Sequence, residues 1–190
     1  MARLETKYIV VHCSQTRPSQ NIGAKEIDRW HRERGWLKIG YARVIKRDGT
    51  VEQGRDDDEL QAHVKNYNHI STSVCVVGGA KEENWQEGED NFTGEQWESL
   101  KKVLEEQVIK YPEARIVGHY ELDERKTCPN FNVREYLLNE DIKGYKFADS
   151  TVTDGDIQEM KDAGELYHFH QTCTLRKLWQ SRQPSYLPKL

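Results

Sequence analysis

The stretch Lys7-Tyr8-Ile9-Val10-Val11-His12-Cys13-Ser14 constrains this chain most. It is an unbroken run of apolar, mostly β-branched residues that ends in a histidine and then in polar loop residues. Such a run reads as a strand buried on both faces. Side chains alternate along a strand, so Val10 and His12 share one face while Ile9, Val11 and Cys13 share the other. His12 therefore stands at the carboxyl end of a core strand, where ligand sites in α/β sheets tend to lie. A lone histidine in such a place is more often a hydrogen-bonded structural residue than a ligand. A second cluster, far along the chain, supplies partners that reopen the question.

The 190 residues suffice for one domain with a good core plus an appendage. The net charge of -4, with no long block of like charge, argues against nucleic acid as the main partner. No stretch approaches the ~20 apolar residues that cross a bilayer, so no membrane partner is expected. Residues Met1 to Lys7 lack the apolar core of a secretory signal, which predicts a protein folded in the cytoplasm. The four cysteines, Cys13, Cys75, Cys128 and Cys173, are scattered, unlike the dense framework of a small secreted domain. Cys13 and Cys75 read as buried small hydrophobes on strands.

Taken in order, Ala24 to Arg34 reads as a helix, with Ile27 and Trp30 one turn apart and Gly35 as its stop. Tyr41 to Lys46 and Thr50 to Gln53 read as two strands joined through Arg47-Asp48-Gly49. Regular alternation would put Tyr41, Arg43 and Ile45 on one face and Ala42, Val44 and Lys46 on the other. Asp56 to Tyr67 is a short helix or ordered loop. Thr72 to Val77 is a second buried strand, stopped by Gly78-Gly79, and Lys81 to Asn91 is a polar surface loop. Thr93-Gly-Glu-Gln96 fits a capping box that opens a helix running to about Lys110, with Trp97, Leu100 and Leu104 as its buried stripe. Arg115 to Gly118 is a short strand from which His119 enters a loop, and Asn132 to Leu138 is a last short helix. The pattern of strands and helices is α/β, with a C-terminal helical extension. The division falls at 1–140 for the main domain and 141–190 for a linker and extension, whose apolar stripe is Ile157, Met160, Leu175, Leu178 and Trp179. Trp30, Trp36 and Trp97 read as core residues.

The second cluster is His119-Tyr-Glu-Leu-Asp-Glu-Arg-Lys126-Thr-Cys128-Pro. Histidine and thiolate bind zinc, with bonds of about 2.0–2.1 Å to nitrogen and about 2.3 Å to sulfur. His12, His119 and Cys128 would make three protein ligands and leave a fourth tetrahedral position for water, as catalytic zinc sites do. The alternative is that Cys128 is a buried thiol and His119 a loop histidine; spacing alone does not decide. His168-Phe-His170-x-x-Cys173 has metal-like residue types but would not converge on one helix.

Val-Val-His12-Cys-Ser, Gly40-Tyr41, Ile-Lys-Arg-Asp-Gly-Thr-Val-Glu52-x-Gly-Arg55, His63-x-x-x-Tyr67-Asn68, Val-Gly-Gly and His119…Lys126-x-Cys128-Pro occur here in order. Together they resemble the amidase-type phage lysozymes, the zinc N-acetylmuramoyl-L-alanine amidases of T-odd phages, which are relatives of the peptidoglycan-recognition proteins. The resemblance covers residues 7 to 140 or so and is highly specific as a set. It implies a mixed sheet flanked by helices. It also implies hydrolysis of the amide between the lactyl group of N-acetylmuramic acid and L-alanine in peptidoglycan. By position it implies Zn2+ on His12, His119 and Cys128, Tyr41 beside the reacting water, and Lys126 steadying the developing oxyanion. His63 and Asn68 match positions near the substrate groove, with hydrogen-bonded loop anchors as the alternative. The family usually has histidine and an aromatic residue after Gly-Tyr; here stand Ala42 and Arg43, and Arg43 could reshape the groove or pair with an acidic substrate group. The loop between His119 and Lys126 is one residue longer than in those relatives.

The resemblance further implies a monomer that acts at phage-induced lysis, waiting in the host cytoplasm and then reaching the cell wall. Two other readings come with it. Some peptidoglycan-recognition proteins bind without cutting, usually after losing a zinc ligand, whereas here the whole set is retained. T-odd phage lysozymes also inhibit the phage RNA polymerase, which makes that polymerase a second candidate partner.

Overall fold

A computed structural model describes residues 3 and 5–146. The expected extension stripe and the His168/His170/Cys173 group lie outside the described residues. Five strands form one sheet: β1 Tyr8–Cys13, β2 Arg43–Ile45, β3 Val51–Gln53, β4 Ser71–Val76 and β5 Arg115–Gly118. Their order is β3-β2-β4-β1-β5. β1 pairs in parallel with β4 on one side and β5 on the other, β2 is parallel to β4, and β3 is antiparallel to β2. The sheet is therefore mixed. Strands sandwiched in this way are apolar on both faces, and Ile9 through Val11 are fully buried.

Around the sheet lie α1 Ala24–Glu33, α2 Gly94–Lys110, α3 His119–Leu122 and α4 Val133–Glu140. The capping box of α2 forms as its sequence requires: Gln96 N–H donates to Thr93 Oγ1 and Thr93 N–H to Gln96 Oε1. Gln96 is also buried, with its Nε2 donating to the carbonyls of Val77 and Ile45, so a polar side chain ties helix to sheet. The buried face of α2 is Leu100, Val103, Leu104 and Val108. Trp97 instead joins an aromatic cluster, edge-to-face with Phe92 and Phe131 and tilted against Tyr136. Ile142 is buried and the Tyr145 hydroxyl accepts from Ile116 N–H, so the packed fold runs past Glu140. No helix among the described residues is long and apolar enough to cross a membrane.

Three local expectations are corrected. Tyr41 does not share a face with Arg43. The β2 ladder starts only at Arg43; before it, Ala42 N–H donates to Ser73 Oγ instead of a strand partner. Tyr41 packs with Val44, Cys75, Ile27 and Ile39 on the α1 side. The chain passes so close to Gly54 that a Cβ there would meet Tyr41 O at 2.2 Å. The second correction is His119, which begins α3 rather than a loop. Glu121 Oε1 accepts the Gly118 N–H at 2.8 Å, a carboxylate satisfying a free donor at a helix start.

The connector after α1 fixes the approach to Tyr41. Gly35 takes φ +83, the left-handed conformation that ends the helix. Trp36, expected in the core, is 39% exposed and lies against His31 at 4.5 Å between ring centroids. His31 is buried, and its Nδ1 accepts the Gly40 N–H at 2.9 Å, so the folded ring must be neutral at that nitrogen. Burial first, then the Arg34 charge, holds its pKa at about 4 against the opposing pull of Asp28. The native state thus stays unprotonated where the unfolded chain takes up a proton, below about 6.5. Stability contributed by the neutral ring is present above that pH and is lost as pH falls toward about 4, at no more than about 1.4 kcal/mol per pH unit. His31→Asn keeps an acceptor in place of Nδ1 but cannot titrate. Denaturant unfolding of this variant should show a shallower loss of stability from pH 7 to pH 4.5 than wild type; equal slopes would refute the assignment.

Candidate metal centre

Parallel register brings the first two candidate ligands together. Val11 pairs with Gly118 across β1 and β5, so His12 and His119 are the next residues along two adjacent strands leaving the sheet at the same edge. Their rings stand 4.6 Å apart, centroid to centroid. The turn after α3 then brings Cys128 back: Tyr120 N–H donates to Cys128 O at 3.0 Å, and Cys13 N–H donates to Cys128 Sγ at 3.2 Å. The ligand atoms of His12, His119 and Cys128 all lie within 4.8 Å of one another, the one such group among the described residues. Cys128 Sγ sits 3.7 Å from His12 Nδ1. Tetrahedral zinc with ordinary bond lengths would separate nitrogen and sulfur ligands by about 3.6 Å. The donor set and its spacing fit zinc.

The electrostatics agree with this. His12 is buried, and burial followed by its neighbours His63 and His119 pushes its pKa well below the usual imidazole value. His119 is half-buried and is lowered by burial and then by the Lys126 ammonium, against Asp123. Both rings are thus neutral near pH 7, the form that binds a metal. The contact with Cys13, and then burial, pushes the Cys128 thiol up. A divalent cation acts in the opposite direction and displaces the thiol proton.

Tyr41 and Lys126 border this group in different ways. The Tyr41 ring is 5.2 Å from the His12 ring. Burial, then the nearby cysteine thiols, raises its pKa well above 10, so the phenol keeps its proton and can donate it in a hydrogen bond. Lys126 is exposed on the turn between α3 and Cys128, where its N–H donates to Asp123 O at 2.9 Å and its charge reaches His119.

The three other sequence candidates fall in different surroundings. His63 is brought in: its Nδ1 is 3.0 Å from His12 Nε2. Asn68 anchors the loop carrying that histidine, its Oδ1 accepting from His63 N–H at 2.8 Å and Val64 N–H at 2.9 Å. Arg43 lies on the α2 side, where Nη2 pairs with Asp57 Oδ2 at 2.8 Å in a recess also lined by Gln53, Glu59 and Lys110. Its guanidinium is thus engaged by a carboxylate of its own chain.

Residues without a sequence signal complete the surroundings. Asn130 takes φ +67 just after the cis Cys128–Pro129 bond. Its Nδ2 donates to Gly79 O at 2.6 Å and to Gln15 Oε1 at 2.7 Å, which ties the Cys128 loop to the ends of β1 and β4. Ser71 Oγ lies 3.2 Å from His63 Nε2.

Comparison with known proteins shows the family. Residues 2–131 match the family model described as N-acetylmuramoyl-L-alanine amidase. The endolysin of Escherichia phage T7 is 46% identical over 134 residues, covering 70% of this chain and 87% of that protein. Among solved structures, N-acetylmuramoyl-L-alanine amidase LysC from Clostridium intestinale URNW superposes with a TM-score of 0.63 at 25% identity, covering 74% of this chain and 89% of that one. Drosophila PGRP-LB shares the fold, with a TM-score of 0.59 at 20% identity over 77% of this chain and 86% of that one. By sequence and by fold, the chain belongs to the N-acetylmuramoyl-L-alanine amidase family.

Proposed function

We propose that this protein is a phage endolysin that uses zinc to hydrolyse the amide between the lactyl carbonyl of N-acetylmuramic acid and the nitrogen of L-alanine. The observation that carries the reading is the convergence of His12, His119 and Cys128 in a chain of this family. When bound, zinc would supply an acidified water and a Lewis acid for the carbonyl. The chain's own groups do the rest. Water adds to the carbonyl carbon, the carbon–nitrogen bond breaks, and the proton ends on the alanine amine. Tyr41 offers a phenolic donor beside His12. Lys126 offers a cation on the open side of His119, where negative charge develops on the carbonyl oxygen. Tyr41 is partly buried, which limits water around its hydroxyl and strengthens that interaction.

Purified peptidoglycan treated with the zinc-loaded protein should release peptides with new alanine amino termini and no new reducing sugar ends. Solubilisation without new amino termini would sink the reading, and binding without release would favour a recognition module instead. Residues 147–190 are proposed as an accessory without catalytic groups. A chain ending at Lys146 keeps the buried Ile142 and the Tyr145 hydrogen bond, so it should cut soluble muropeptide at about the full-length rate. Inactivity on that small substrate, with zinc retained, would show that the tail completes the site.

A further inference from the structure

One line of partly buried hydrogen bonds leads from a backbone carbonyl to the candidate metal centre, and geometry fixes its directions. Ser71 Oγ is 2.7 Å from Tyr67 O. A carbonyl only accepts, so the single serine proton points there. Ser71 Oγ can then only accept from His63 Nε2, 3.2 Å away, which places the proton of the neutral ring on Nε2. His63 Nδ1 is left bare. It faces His12 Nε2 at 3.0 Å, and two bare nitrogens would repel at that distance, so His12 carries its proton on Nε2. His12 Nδ1 is left bare in turn, and this is the nitrogen facing Cys128 Sγ.

We infer that His63 and Ser71 are positioning residues that hold His12 in the one tautomer able to bind a metal through Nδ1. The inference rests on the zinc reading above. It gives His63 a role that needs no contact with substrate. The geometry makes the role specific: His63 Nδ1 is within hydrogen-bond distance of His12 Nε2 at 3.0 Å, and the two ring planes are perpendicular. Asn68 fixes the backbone of His63 through two N–H donors, so the second imidazole is itself anchored. Metal-ligating histidines are ordinarily oriented through their other nitrogen by a carboxylate, a carbonyl or water. Here a neutral imidazole fills that place, and its own tautomer is set one bond further out.

Two measurements on the full-length chain test this. In the metal-free protein, nitrogen–proton correlation spectra of the imidazoles should show His12 protonated at Nε2. A predominantly Nδ1-protonated His12 would overturn the inference, and this needs no variant. Zinc affinity is then measured by competition with a chromophoric chelator. His63→Leu removes the acceptor and should weaken zinc binding by about 10–100-fold. His63→Asn keeps an oxygen where Nδ1 stood and should stay within about threefold of wild type. Wild-type affinity in the leucine variant, or equal weakening in both variants, would overturn the role of the acceptor. A wild-type chain that takes up no zinc would instead overturn the zinc reading, while the His12 spectrum would still report on the relay.

Discussion

Cys128→Ala should yield a protein that retains no zinc and hydrolyses peptidoglycan at least about a thousandfold more slowly, the loss of about 4 kcal/mol of transition-state stabilisation. The effect should be this large because the sulfur is one of the three candidate ligands that converge among the described residues. It should also reach the fold. The three candidate ligands come from the end of β1, the start of α3 and the loop after it, so a metal held there would tie distant segments together and its binding energy would become folding energy. Removing zinc from the wild type with a chelator should therefore lower its melting temperature as well as stop turnover, and adding zinc back should restore both. The checks are metal content by atomic spectroscopy, release of alanine amino termini, and thermal unfolding with and without zinc. Full activity in a zinc-free wild-type preparation would defeat the mechanism.

Tyr41→Phe and Lys126→Ala should behave differently, keeping zinc and fold while kcat falls by about a hundred- to a thousandfold each. Both groups are assigned to the transition state rather than to the metal, so the loss should appear in kcat more than in KM. Packing makes these clean substitutions. The Tyr41 ring lies against Val44, Cys75 and Ile27, contacts that phenylalanine preserves while removing only the hydroxyl. Lys126 is exposed, so its truncation leaves no hole. A variant that cuts at the wild-type rate loses its assigned role, and one that also loses zinc has been misplaced relative to the metal centre.

The sequence by itself determined the parts that local rules govern. The β-branched run at Tyr8–Cys13 could only be a buried strand, Asp48-Gly49 could turn the β2–β3 hairpin, and Thr93 with Gln96 could start a helix, because each depends on residues a few positions apart. The motif order of the family likewise pointed to His12, His119 and Cys128 before any geometry was known. Tertiary structure alone decided which groups face one another. Alternation mispredicted Tyr41 because the ladder breaks at Ala42, where a serine hydroxyl from β4 replaces the strand partner. Arg43, expected toward a substrate, meets Asp57, a carboxylate 14 positions away. His63, expected near the groove, meets His12 across 51 positions of sequence, and its proton is set by Ser71. These are partnerships between side chains that meet only when the sheet and the loops around it are in place. No short-range preference encodes them, because their energy exists only once the sheet has formed.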